Sequence, residues 1–291
     1  DQKPLVLEQI EEFSDENIIV EPFGMNTAPC IALSALYLEH KFPYDSMLVV
    51  PADHLIIEED KFWKSVEIGA EAIKQNYLVT FGIRPTYPAT GYGYIETEKM
   101  IAEDTYSVKR FKEKPNFDTA KEFIDDGKFL WNSGMFLWKI STIIQEFGKY
   151  LPNVITLLNK IAQKWDADGF GVDISIIYKE MPRLPIDIAV MEQAKKRAVI
   201  PVDYGWSDVG SWRALYDVLE KDDNGNVIDT ESSIIDSNRN LVFSHKHVSL
   251  IDIDDIVIID TKDALLVSKR SSSEKVKQIV EKLKKENEKL L

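Results

Sequence analysis

Ser46-Met47-Leu48-Val49-Val50-Pro51-Ala52-Asp53-His54 is a short apolar run that ends in an acid. Residues Ser46 to Val50 have the length and composition of a buried strand. Asp53 then stands just past its carboxyl end, the edge at which open α/β sheets collect ligands. Working outward, Asn26 to Glu39 reads as a helix. Thr27 is placed to cap it, Pro29 fits its first turn, and Ile31, Leu33, Ala35, Leu36 and Leu38 supply apolar positions. Ahead of it, Asn17 to Val20 is a strand candidate. On the other side, Lys61 to Asn76 carries Phe62, Val66, Ala70 and Ile73 near helical spacing, and Tyr77 to Ile83 returns to strand character. Such βαβα alternation predicts a mostly parallel sheet with helices on both faces.

Farther along, Asp118 is placed to cap a helix ending at Gly127, and Phe129 to Lys139 is an aromatic strand interrupted at Asn132-Ser133-Gly134. Ser141 to about Tyr178 reads as mainly helical, Ala198 to Asp203 as a strand, and Gly210 to Leu219 as a helix. The character changes at the turn signal Asp223-Asn224-Gly225-Asn226. Short strands follow at Leu241 to Phe243, Val248 to Ile251, Ile256 to Ile259 and Ala264 to Ser268, resembling β-rungs separated by acidic turns. Ser271 to Leu291 closes as a charged helix with an apolar stripe of Val276, Ile279, Val280, Leu283 and Leu290. Two domains are expected, residues 1–225 and 226–291, with no internal repeat of useful length.

Composition narrows the function. In 291 residues, 44% hydrophobic and 29% charged content describes an ordinary globular chain. A formal net charge of −14 repels a polynucleotide backbone and leaves no basic stripe to hold one. Small phosphorylated substrates remain open, because a divalent cation bridges carboxylates to phosphate. One cysteine, Cys30, excludes an intrachain disulfide and points to a reducing, cytoplasmic setting. No apolar run has the length of a membrane span.

Each candidate residue has a chemical and a plain reading. Asp53 is either a ligand-facing acid or a turn and cap residue; His54 either meets phosphate or orients Asp53. Asp208, between two glycines in Gly205-Trp206-Ser207-Asp208-Val209-Gly210, is either a second acid or a helix N-cap. Together the two acids fit a Mg²⁺ site, which takes one or two carboxylates plus substrate phosphates and waters. They are expected to face one cleft. Gly91 and Gly93 expose backbone amides or simply turn the chain. Glu113 can accept from sugar hydroxyls and Lys114 can neutralise a phosphate, unless the pair is a solvated charge run. Asn132 sits poorly inside a strand, so it marks a bulge or binds a ligand. Glu21, ahead of a helix N-terminus, can accept from two adjacent N–H donors such as those on guanine, or be a surface acid. His245 and His247 read as surface residues, and no zinc spacing or hydrolase triad is seen.

Taken in order, EPFGMNTAP (21–29), VVPADH (49–54), TFGIRPTYPATGYGYIE (80–96), FKEKP (111–115), FLWNSGMFLW (129–138), PIDIAVME (185–192) and GWSDVGSW (205–212) resemble the successive motifs of the mannose-1-phosphate guanylyltransferases, a branch of the sugar-1-phosphate nucleotidyltransferases. The resemblance runs from about Asn17 to Trp212. It implies a Rossmann-like nucleotidyltransferase sheet with a small C-terminal β-helix-like module and terminal helix. The implied reaction joins GTP to mannose 1-phosphate, giving GDP-mannose and pyrophosphate with Mg²⁺. Carried over by motif, Asp53 and Asp208 hold the metal, and Glu21, Asn26, Thr27 and Asp53 serve the nucleotide. Gly91, Glu113, Asn132 and Asp187 hold the sugar, and Lys114 holds the sugar phosphate as a catalytic group beside the two acids. A homodimer is also implied.

This chain departs from the pattern at Met25, where a basic residue is common, at Ala89, where Glu is common, and at Pro185 and Ile188, which flank Asp187 in place of Ser and Tyr. It also starts past the family's strand and G-G-x-G-T-R-x-x-P loop. That suggests a sheet missing a central strand, and binding of GDP-mannose in preference to turnover. Two other readings stand beside the enzyme: a non-catalytic sugar-nucleotide sensor, which would not need two metal-binding acids, and a transferase for another hexose 1-phosphate or nucleotide, against which Glu21 speaks.

Overall fold

A computed structural model describes residues 2–10, 12–42 and 45–286. The chain packs as two compact units, one of Asp1–Ala52 with Glu58–Tyr204, the other of Asp53–Ile57 with Gly205–Leu291.

The first unit opens with α1 (Lys3–Gln9) and α2 (Thr27–Lys41), then β1 (Ser46–Val49), α3 (Glu59–Lys74) and β2 (Leu78–Ile83). A hairpin of β3 (Tyr94–Ala102) and β4 (Thr105–Lys112) leads through α4 (Phe117–Asp126) to the long β5 (Phe129–Lys139). Helices α5 (Ile140–Tyr150), α6 (Pro152–Asp168) and α7 (Ser175–Tyr178) follow, and β6 (Arg197–Val202) completes the sheet. The six strands lie in the order β1-β5-β2-β6-β4-β3. The expected parallel character is corrected: β2–β6 is parallel, and the other pairings are antiparallel. The β1-α3-β2 crossover does aim β1 and β2 the same way, but β5 inserts between them in the opposite sense. The six strands are contiguous, and β1 forms one edge.

Strand β2 is buried along five of its six residues, as expected where both sheet faces are covered. Its Leu78 belongs to the same core cluster as Trp138 of β5 and Phe147 of α5, both fully buried. Several boundaries differ from the sequence reading. Asn17 to Val20 is no strand: Asp15–Asn17 form a 3₁₀ turn, and no ladder partner is present among the described residues. Asn26, not Thr27, caps α2, and Asn116, not Asp118, caps α4, because each side-chain oxygen reaches a first-turn amide.

The second unit contains α8 (Trp212–Val218) followed by β7 (Val227–Asp229), β8 (Ser232–Ile235), β9 (Leu241–Phe243), β10 (Val248–Ile251), β11 (Ile256–Asp260) and β12 (Leu265–Lys269). Here the expectation of no internal repeat fails. Strands β7, β9 and β11 stack in parallel, as do β8 and β10. The turn residues Asp236 and Arg239 recur sixteen positions later as Asp252 and Asp255, all four at positive φ. A ladder of buried asparagines ties the coils: Asn226 Oδ1 accepts from Asn240 N at 3.0 Å, and Asn240 Oδ1 from Ile256 N at 3.1 Å. The repeat hides because only backbone conformation and a few turn residues recur. The terminal segment is a 3₁₀ stretch, Arg270–Lys275, and then α9 (Val276–Glu286); Leu290 of the expected stripe lies outside the described residues.

Candidate active site

Strand β5 carries two more residues than β2 across the same span, because Thr80 faces Phe136 while Gly82 faces Asn132. The interruption expected at Asn132 is therefore a bulge, which re-aims a side chain out of the ladder. Asn132 Nδ2 donates to Asp187 Oδ1 at 2.9 Å, and Asn132 Oδ1 lies 3.1 Å from the Thr80 hydroxyl. Asp187 opens a π-helical turn, Asp187–Met191, a distortion concentrated at functional sites. Burial, reinforced by the Glu113 charge, pushes the Asp187 carboxyl up to about 6, while the Asn132 amide and Lys114 pull the other way. An aspartate so placed is one proton from neutrality near physiological pH.

Glu113 and Lys114 follow β4. Lys114 takes φ +39°, and its Nζ lies 3.1 Å from Glu113 Oε1. The Glu113 side chain is mostly enclosed and packs on Gly93, where a Cβ would stand 2.7 Å from Glu113 Oε2 and 3.4 Å from Asn132 Cβ. Gly93 is thus the close-approach glycine of Thr90-Gly91-Tyr92-Gly93. Gly91 has open space around its Cα. Glu113, Asn132 and Asp187 come together, with the Lys114 ammonium on Glu113. Met25 and Ala89 are buried packing positions, so a charged side chain at either would have to enter the core.

At the amino end of α2, Asn26 Oδ1 accepts from Thr27 N at 2.8 Å with Asn26 at φ +76°. Thr27 Oγ1 accepts from Ile186 N at 2.8 Å, and Ala28 N donates to Leu184 O at 3.1 Å. These bonds sew the helix start to the segment just ahead of Asp187. Glu21 is not a plain surface acid, since its Oε1 accepts a hydrogen bond from the Tyr178 hydroxyl.

The two acids Asp53 and Asp208 both fall in the second unit. Their loops are joined by a two-way backbone bridge: Leu55 N to Ser207 O at 2.8 Å and Ser207 N to Leu55 O at 3.0 Å. Between them, His54 Nδ1 accepts from the Trp206 indole N–H at 3.1 Å. Burial draws His54 below its ordinary value, and the charges of Asp53 and Asp208 both oppose this. The ring is therefore neutral at pH 7, with its proton on Nε2. Asp208 is fixed by its own turn: Gly210 N donates to Asp208 Oδ1 at 3.1 Å, and a Cβ on Gly210 would lie 2.6 Å from Oδ2. Val209 is forced to φ +47°, a strained conformation for a β-branched residue. Two hard oxygen donors whose fields meet at one histidine suit a magnesium ion. Among the described residues, no group of three or more His, Cys, Asp or Glu is arranged to hold a metal by protein ligands alone.

Sequence reading missed Thr80 and Tyr178 as parts of these arrangements, and it offered Gly93 as an exposed amide or a turn, not as a close-approach position. Thr80 was legible in principle as a lone hydroxyl inside a fully apolar strand. Tyr178 was not, since nothing local connects it with Glu21, 157 positions earlier.

Residues 2–225 match the nucleotidyl transferase family model, and residues 224–283 match that of the MannoseP isomerase/GMP-like beta-helix domain. Mannose-1-phosphate guanylyltransferase of Escherichia coli is 39% identical over 290 residues, covering 96% of this chain and 62% of that protein. Mannose-1-phosphate guanylyltransferase RfbM of Salmonella typhimurium is 41% identical over 290 residues, covering 97% and 60%. The chain spans about three fifths of the length of the curated relatives it matches. Among solved structures, mannose-1-phosphate geranyltransferase from Thermus thermophilus superposes with a TM-score of 0.79 at 28% identity, over 91% of this chain and 77% of that one. No helix among the described residues is long and apolar enough to cross a membrane. Because the first of these family matches takes in every candidate residue from Glu21 to Asp208, the chain belongs to the nucleotidyl transferase family, with a beta-helix domain after it.

Proposed function

We propose that this chain serves guanylyl transfer to a sugar phosphate: GTP and mannose 1-phosphate give GDP-mannose and pyrophosphate. A phosphate oxygen of the sugar attacks the α-phosphorus of GTP, the bond to the β-phosphate bridging oxygen breaks, and pyrophosphate leaves. The observation that carries the reading is the union of Asn132, Asp187 and Glu113 beside Lys114. Two carboxylates and an amide offer directed partners to a polyol, and an ammonium beside them offers a counter-charge to its phosphate.

The other roles follow the same logic. Glu21, with Asn26 and Thr27 at the helix start, serves the base and ribose. Gly91 offers backbone to the sugar. Asp53 and Asp208 would hold Mg²⁺, which when bound neutralises phosphate charge and polarises the phosphoryl group undergoing attack. Most of the rate enhancement then comes from positioning and charge neutralisation, with no covalent enzyme intermediate. Residues 1–225 carry this chemistry, and 226–291 form the β module. The names of the Escherichia coli and Salmonella relatives support the choice of mannose and guanine.

Calorimetry with GDP-mannose, GDP-glucose and UDP-glucose tests the proposal, alongside pyrophosphate release from GTP and mannose 1-phosphate. Saturable binding of GDP-mannose at least tenfold tighter than that of UDP-glucose is expected. Equal affinity for all three would remove the base and sugar assignments together.

A further inference from the structure

A buried phenol and a half-buried thiol converge on the residue assigned to the nucleobase. Tyr178, the last residue of α7, is fully buried, and its hydroxyl donates to Glu21 Oε1. Cys30, half-buried in the first turn of α2, stands near enough to Glu21 to feel its charge and offers a weaker S–H donor there. Burial and the Glu21 charge push the thiol up to about 11 and raise the phenol as well, so both keep their protons and act as donors at neutral pH. Neither group has a part in the transfer chemistry outlined above.

We propose that Tyr178 is a positioning residue that fixes which edge of residue 21 is offered to the nucleobase, and so selects a base presenting two adjacent N–H donors. The inference rests on the reading that Glu21 meets the base. Its physical content is an asymmetry. A carboxylate has two equivalent oxygens with two lone pairs each, so pinning one leaves the other outward and able to accept from both adjacent N–H groups. A carboxamide has one oxygen and one NH₂. A phenol that donates inward takes the carbonyl, and the NH₂ is left facing outward, donor against donor. The damage done by Glu21→Gln is therefore enforced by Tyr178. Removing the hydroxyl frees the amide to turn and present its carbonyl to the base. Tyr178 then has opposite effects in the two backgrounds, which a purely structural tyrosine does not.

The test is calorimetry on the full chain with GDP-mannose and with IDP-mannose, whose base lacks the exocyclic amine. Glu21→Gln is expected to weaken GDP-mannose binding about ten- to a hundred-fold, the scale of one hydrogen bond to a charged group. Tyr178→Phe alone keeps the packed ring and should lower the GDP-mannose to IDP-mannose preference about threefold, the low end of the worth of an ordinary hydrogen bond. The double variant should regain at least about threefold over Glu21→Gln, the size of coupling expected for side chains in contact. A further Cys30→Ala change removes the weak thiol donor and should enlarge the rescue. A double variant no tighter than Glu21→Gln overturns the inference, as does equal weakening of both ligands by Tyr178→Phe. A Glu21→Gln protein that binds GDP-mannose like the parent overturns instead the base assignment on which the inference stands, whatever Tyr178 does. Absence of guanine-nucleotide binding by the parent chain removes both.

Discussion

The Asn132 carboxamide and the Asp187 carboxylate, 55 positions apart in the chain, are joined by a 2.9 Å hydrogen bond. A bulge in β5 turns the first out of its ladder, and a π-helical turn presents the second. The bond settles the amide orientation, with nitrogen toward Asp187 and oxygen toward Thr80. It also partly offsets the burial that raises the Asp187 carboxyl to about 6.

Asp187→Asn should stabilise the folded chain at pH 8 while weakening sugar-nucleotide binding. The sign follows from linkage. A carboxyl at about 6 when folded, against its reference value of 3.8, holds extra proton in the folded state between those values. Stability therefore falls as pH rises through that window, by up to about 3 kcal/mol. Urea unfolding should give the variant its full advantage at pH 8 and almost none at pH 4. The same difference at both pH values would show that Asp187 ionises freely in the fold.

His54 should titrate below its ordinary 6.5, because burial disfavours the cation. As a base held low, it contributes stability above the ordinary value that is lost as pH falls beneath it. Asp53→Asn or Asp208→Asn should each lower the midpoint further, since both carboxylates favour the charged ring. Proton NMR of the His54 ring reads this directly. A midpoint that neither substitution moves would mean the two acids do not share a field at His54.

Gly93→Ala should leave the fold nearly intact yet weaken GDP-mannose binding about tenfold. The new methyl meets the far end of the Glu113 side chain at 2.7 Å, and a flexible carboxylate gives way more easily than backbone. Thermal unfolding and calorimetry on one sample separate the two effects. A large stability loss would show that Glu113 cannot move.

Asn240→Ala should destabilise the β module by about 2–4 kcal/mol. Asn240 is fully buried, and its side chain accepts from Ile256 N at 3.1 Å and donates to Ile253 O at 2.8 Å. Alanine removes the partner of two part-buried backbone groups and leaves a void at a fully buried position. Urea unfolding monitored by circular dichroism reports the loss, and a change below about 0.5 kcal/mol, ordinary for surface substitutions, would show that water replaces the amide.

Local chemistry wrote much of this protein openly. Helix α2 was legible from Thr27 and Pro29 and the apolar run after them, and β1 and β2 from continuous apolar segments, because these depend on neighbours within a turn or a strand length. The candidate acids, amide and lysine were legible because each breaks its local pattern: an acid at a strand end, an asparagine in a strand, two glycines about an aspartate. What tertiary structure alone decided is which of them meet and what they become. The antiparallel insertion of β5 is invisible locally, since strand direction is set by long-range pairing. Asn17 to Val20 has strand composition but no ladder beside it among the described residues. The coil repeat is carried by positive-φ turns and an asparagine ladder that few identical residues betray. Asp187 owes its raised carboxyl to burial and to the distant Glu113, and Glu21 its orientation to a tyrosine 157 positions away. Hydrogen bonds and fields act through space, so residue identity set the chemistry on offer and packing set its protonation and direction.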